Sequence, residues 1–125
     1  MTSINFEFQK EFSFDKRKQE ATRILAKYPD RVPVIVESEK KSTKTPDIDK
    51  HKYLIPRDME AGQFIWVIRK RLGKKLAPDQ TIFLFANGNQ IPQAQQLIET
   101  LYQQTKHEDG FLYIKYSVES AFGTK

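Results

Sequence analysis

No cysteine occurs among the 125 residues, and the two histidines, His51 and His107, stand far apart. Disulfides, a cysteine nucleophile, a thioester-forming enzyme and any thiolate zinc site are therefore excluded, and with no thiol beside either histidine a metal site is not expected. No glycine-rich phosphate loop and no hydrolase elbow is present. The chemistry left to the chain is that of charge and of backbone. The charged stretches are Lys16-Arg17-Lys18 and Arg69-Lys70-Arg71 with Lys74-Lys75. They fit attraction to anionic lipid or to an acidic partner, nucleic acid, or a plain solvated helix face. Interleaving with 16 acidic residues dilutes any phosphate-tracking stripe, so no specific nucleic-acid partner is expected. The backbone candidate is Lys52-Tyr53-Leu54-Ile55, a short strand stopped by Pro56. It has the marks of a sheet edge, whose unpaired N–H and C=O groups can accept an extended peptide.

These groups need elements to hold them. Residues 4–14 carry Ile4, Phe6, Phe8, Phe12 and Phe14, too apolar for a free tail; strand and short docked helix are both open. A helix is predicted over 14–28, with Phe14, Ala21, Ile24, Leu25 and Tyr28 on one face and most basic residues elsewhere. Ser13 is its N-cap and Pro29 its stop. Residues 32–37, VPVIVE, read as a strand, with Pro33 marking its start or an edge. Residues 38–47 form a polar loop. A second helix over 60–72 turns Phe64, Ile65, Val67, Ile68 and Leu72 to one side and ends at Gly73. Its Trp66, the chain's single tryptophan, reads as packing rather than recognition. Strand 81–86 runs into an Asn87-Gly88-Asn89 turn. A third helix over about 93–104 turns Leu97, Ile98, Leu101 and Tyr102 inward, and 111–117 is the last strand.

The length fits one domain able to bury a core without staples. Apolar residues at 38% against 30% charged, with regular periodicity, argue against disorder. No apolar run spans a bilayer, the N-terminus is not a secretory signal, and the lack of cysteine fits a reducing compartment. The net charge is +5. No internal repeat is found. The element order is that of a β-grasp preceded by two helices, although order alone does not establish a fold.

Five blocks carry a more specific signal. They are Phe14-Asp15-Lys16-Arg17, KYPDRVPVIVE at 27–37, Asp49-Lys50-His51-Lys52-Tyr53-Leu54-Ile55-Pro56, Gly62-Gln63-Phe64 through Ile68-Arg69-Lys70-Arg71, and Glu108-Asp109-Gly110-Phe111-Leu112-Tyr113-Ile114. In order and spacing they resemble the autophagy ubiquitin-like modifier family, which includes the GABA-receptor-associated protein and the microtubule-associated light chain. The resemblance covers almost the whole chain. Departures are a loop at 38–47 one residue longer, Phe12-Ser13 in place of His-Pro, and an atypical region 87–96. The implied fold class is α+β, a ubiquitin-like β-grasp with two additional N-terminal helices. The implied division is 1–28 as a helical extension, 29–117 as the core and 118–125 as a flexible tail with the processing site.

Family members are not enzymes, and no cofactor is implied. The resemblance makes Gly123 the site of cleavage and lipid attachment, with Phe122 read by the protease; a glycine, lacking Cβ, threads narrow enzyme channels. It implies a processing cysteine protease, ubiquitin-activating-like and conjugating-like enzymes, and phosphatidylethanolamine as the attached lipid. Localisation is then cytosol, with autophagosome membrane after lipidation. It also implies cargo receptors bound through aromatic-x-x-aliphatic peptides. The aromatic pocket falls on Glu20, Ile24, Pro33, Lys52, Leu54 and Phe111. The aliphatic pocket falls on Tyr53, Ile55, Pro56, Met59, Phe64, Val67 and Ile68, of which Phe64 and Ile68 read equally well as core. Arg31, Lys50 and Arg71 are placed to meet acidic residues beside the peptide motif. A non-conjugated β-grasp peptide-binding adaptor, which keeps the groove and never uses its tail, is the alternative.

Overall fold

The computed structural model describes residues 6–39, 45–88 and 90–120. Along the chain run α1 (Glu7–Glu11), α2 (Phe14–Lys27), β1 (Arg31–Ser38), β2 (Lys52–Pro56), α3 (Ala61–Leu72), a 3-10 turn (Gly73–Lys75), β3 (Gln80–Ala86), α4 (Ile98–Thr105) and β4 (Leu112–Ser120). The choice left open at the N-terminus falls to a short helix. The strands form one sheet in the order β2-β1-β4-β3. β1 and β4 lie parallel at its centre, with Val34 opposite Leu112, and β2 and β3 flank them antiparallel. This is the expected α+β arrangement of a β-grasp.

Local sequence sets the boundaries. The Ser13 hydroxyl accepts from the Lys16 N–H at 3.2 Å and starts α2. Gly73, at φ 56°, closes α3 in the left-handed region that a Cβ disfavours. Asn87 and Gly88, at φ 51° and 92°, turn the chain after β3. Pro33 lies in an inner strand, not an edge. It sits one residue ahead of the parallel ladder, which begins at Val34, so its missing N–H removes no bond from that ladder.

Strand alternation divides the interior in two. Val32, Val34 and Val36 of β1, with Leu112, Ile114 and Tyr116 of β4, face α3 and α4 in the larger core. Ile35 and Tyr113 face the other way, toward Ala21 of α2 and Phe6 and Phe8 beside them.

Four expectations are corrected. The third helix begins at Ile98, not near 93. The preceding segment spends its carbonyls on α3, where Ala61 N–H donates to Gln96 O and Gly62 N–H to Ala94 O. β4 continues through Ser120 because Val118, Glu119 and Ser120 pair with Ile82, Thr81 and Gln80; these three residues are strand, not tail. On α2, Phe14 and Tyr28 are exposed while Arg17 is buried, so the inward face runs through Arg17, Ala21 and Ile24. Trp66 is not packed: it lies on the side of α3 opposite Phe64 and Ile68 and is 59% exposed.

Candidate functional site

β2 stands at one end of the strand order, so among the described residues its outer edge has no strand beside it. That confirms the edge read from its proline-bounded sequence. Its side chains alternate between the two faces. Tyr53 and Ile55 enter the larger core, while Lys52 and Leu54 face the α2 side, with Leu54 opposite Pro33 across the β1 ladder. Lys52 and Leu54 of the aromatic pocket and Tyr53 and Ile55 of the aliphatic pocket therefore lie on opposite faces of one edge strand, while Pro56, assigned to the aliphatic pocket, alternates onto the face of Leu54.

On the α2 side, the Lys52 ammonium forms an ion pair with the Glu20 carboxylate, tying the edge strand to the helix. Ile24 packs, partly buried, on the cluster of Ala21, Ile35, Phe111 and Tyr113. Phe111 itself has no exposed surface. The Phe8 ring stands against it edge-on with centroids 5.1 Å apart, so Phe111 is the floor of this side rather than its wall.

On the α3 side, Phe64 and Ile68 have no exposed surface either. The core reading is correct for both, because they occupy the inward face of α3. Tyr53 stacks edge-on against Phe64 at 5.8 Å. Its hydroxyl has no hydrogen-bond partner among the described residues, and burial pushes its pKa up to about 12. Met59 and Val67 are partly buried against the same cluster, and Pro56 is half-buried. The apolar side chains that reach the surface beside the edge are thus Ile24, Leu54 and, by the same alternation, Pro56 on one face and Met59 and Val67 on the other.

The three candidate cations are already engaged. Arg31 Nη1 donates to Leu54 O at 3.4 Å. The Lys50 ammonium lies 5.1 Å from the Tyr53 ring centroid. Arg71 Nε donates to Asp49 Oδ1 at 2.9 Å, and that hydrogen bond holds the Asp49 carboxyl below its ordinary range. An acidic residue of a docked peptide has to displace these contacts, which limits its net gain. Phe122 and Gly123 lie outside the described residues.

Two features of this side escaped the sequence. Arg17, read as one member of a basic run, bonds Asp109 Oδ2 at 2.5 Å, and Asp109 is fully buried. The Tyr113 hydroxyl donates to the same oxygen at 2.6 Å, and the Phe111 N–H donates to Oδ1 at 2.9 Å. Burial opposes the Arg17 charge, but its bonds to Tyr113 and Asp109 outweigh that and raise its pKa. The spacing of Arg17 with Ala21 and Ile24 was the available signal. The second feature is Glu37 of β1. Its carboxylate oxygens accept from the Glu7 and Phe8 N–H groups at 2.8 and 3.1 Å, which seats α1 on the sheet. Nothing local marks it.

Comparison with known proteins agrees with this geometry. The family described as autophagy protein Atg8 ubiquitin-like matches residues 16–123. Autophagy-related protein 8 of Mycosarcoma maydis is 52% identical over 116 residues, covering 93% of this chain and 95% of that protein. Autophagy-related protein 8e of Arabidopsis thaliana is also 52% identical, covering 93% and 92%. Among solved structures, Trypanosoma brucei ATG8 is similar with a TM-score of 0.85 at 32% identity, covering 96% of this chain and 100% of that one. Plasmodium falciparum Atg8 in complex with a Plasmodium falciparum Atg3 peptide has a TM-score of 0.78 at 37% identity, covering 96% and 98%. A β-grasp sheet with an open edge, two helices before it and these relatives across nearly its full length lead to one assignment: the chain belongs to the Atg8 family of autophagy ubiquitin-like proteins.

Proposed function

We propose that this chain is a ubiquitin-like modifier, not an enzyme, that is cleaved after Gly123, joined there to phosphatidylethanolamine on autophagosome membranes, and used to recruit cargo receptors. The observation that carries the docking half is the open edge of β2 with an apolar cluster on each face. A peptide added as a strand sends residues i and i+3 to opposite faces. An aromatic and an aliphatic residue separated by two positions therefore meet the Ile24–Leu54 side and the Met59–Val67 side respectively. Backbone pairing supplies the register and the side-chain sites the choice of sequence.

The magnitudes fit a reversible contact. A buried aromatic covers roughly 150–250 Å², or about 4–6 kcal/mol at about 25 cal/mol per Å². An aliphatic anchor adds about 2–3 kcal/mol, and association costs several kcal/mol. Strand hydrogen bonds bring the sum near the roughly −8 kcal/mol of micromolar binding.

The tail half is supported by family membership, with the matched region running through Gly123. The likeness to an Atg8 solved with an Atg3 peptide supports a conjugating enzyme as partner. One phospholipid brings two acyl chains, which is what stable anchoring requires. The test is intact mass of the protein from its own cells, wild type against Gly123→Ala. Loss of Thr124-Lys125 with a phosphatidylethanolamine adduct in the membrane fraction, absent in the variant, is expected. An unprocessed wild-type chain in every fraction during starvation overturns conjugation and leaves the adaptor reading.

A further inference from the structure

Among the large apolar side chains described, Trp66 is the most exposed, and neither the core nor the peptide edge uses it. Helical spacing places Arg69 and Lys70 within one turn of it on the outward side of α3. Arg69 Nη2 donates to Gln80 O at 2.5 Å, and Gln80 is the β3 residue paired with Ser120, the last residue of β4. The face around Trp66 is thereby fastened to the corner from which the chain continues to Gly123. Two residues, Ala121 and Phe122, separate Ser120 from Gly123, so the three residue steps reach at most about 10 Å.

We propose that this outward face of α3, Trp66 with Arg69 and Lys70, seats on the phospholipid headgroup layer when Gly123 carries a lipid. The inference rests on the lipid-attachment reading above. Three observations favour a lipid surface over a protein partner. The short connection holds this corner near any bilayer to which Gly123 is bound. A ring with an apolar body and a polar N–H suits the membrane interface, where tryptophan concentrates. Cations beside it, in a chain of net charge +5, complement anionic lipid. The arrangement is also compatible with docking, because Gln80 and Ser120 belong to the strand pair at the other end of the sheet from β2.

The chain offers a clean test, with one tryptophan and no cysteine. The full chain with Gly123→Cys is coupled to a maleimide-headgroup lipid in vesicles of phosphatidylcholine and phosphatidylserine, which bypasses the cell's enzymes. On coupling, Trp66 emission is expected to move to shorter wavelength. Quenching by aqueous iodide falls severalfold, and quenching by headgroup-nitroxide lipid appears. In the Lys70→Glu background the change on anionic vesicles is smaller. Unchanged emission with full iodide quenching on the coupled chain overturns the proposal. A shift that appears only on adding an acidic peptide overturns it in favour of a protein partner. Failure of lipid attachment in cells is read separately, from the mass of the native chain.

Discussion

The two faces of the sheet are closed by different physics. Against α3 and α4 the seal is a continuous apolar core that includes Phe64, Ile68, Leu101 and Ile114. Against α1 and α2 the apolar cluster is Ala21, Ile35, Phe111 and Tyr113, and its helices are fastened by polar contacts at single points. Arg17 meets Asp109, Lys52 meets Glu20, and Glu37 meets the first N–H groups of α1. Apolar burial is distributed over many weak contacts and tolerates local change. A buried ion pair concentrates its effect in two side chains. The aromatic side of the candidate groove therefore rests on the more easily altered face, and the aliphatic side on the firmer one.

The contrast between the two faces is sharpest at Asp109. Asp109→Ala leaves the Arg17 charge buried without its partner, and a loss of about 3–5 kcal/mol is expected in urea unfolding. Replacing both charges, Arg17→Met with Asp109→Asn, should recover most of it, since the amide can still bond the Phe111 N–H and the Tyr113 hydroxyl and the paired charges repay little beyond their own desolvation. A double variant as unstable as Asp109→Ala would mean that the pair supplies net stability of its own. The α2 face would then not be the weaker of the two.

How far this was legible in the sequence differs between the faces in the same sense. The α3 face announces itself locally: β-branched alternation in β1 and helical spacing of Phe64, Ile68 and Leu72 name the core. Proline after Ile55 gives the edge strand, and Ser13 and Gly73 give their caps. The α2 face depends on partners distant in sequence. Arg17 and Asp109 are 92 positions apart, and Glu37 is 30 from the N–H it caps. No period or spacing records such pairs. Ring packing hid Phe111 as well, since its burial depends on Phe8 arriving from α1. The start of α4 was lost for a related reason: residues 93–97 suit a helix, but Gln96 O and Ala94 O are held by α3. Trp66 was misread although its place opposite Phe64 and Ile68 follows from the 3.6-residue repeat. There the signal was present and went unused.

A smaller effect is expected where the polar network meets the backbone. Gly110 has φ 98°, and a Cβ there lies 2.8 Å from the Ala21 Cβ. Gly110→Ala combines backbone strain with a clash between the 107–111 turn and α2, and should cost about 1–3 kcal/mol. In an Ala21→Gly background the clash is absent and only the strain remains. The double-mutant cycle therefore divides the cost. Coupling near zero would place the whole penalty in φ and remove the close approach of α2 as a constraint.

The smallest and most local effect belongs to Glu37. Its two oxygens each take one N–H of α1, and Lys115 stands 3.9 Å from one of them. Glu37→Ala removes the cap and should cost about 1 kcal/mol, in the range of capping residues. Glu37→Gln keeps a single acceptor oxygen and should fall between. Because α1 is only Glu7–Glu11 and carries Phe8 onto Phe111, the loss should show first as local opening. Hydrogen exchange at the Lys10 and Phe12 amides, which bond Phe6 O and Phe8 O, then accelerates about fivefold. Amides of Val34 and Val36 in the sheet centre hold their rates. Equal acceleration at both sets would show that α1 opens only with the whole molecule, and that the two faces form one cooperative unit. Acceleration confined to α1 would make Glu37 the fastening that decides how often Phe111, beneath the aromatic side of the groove, is uncovered.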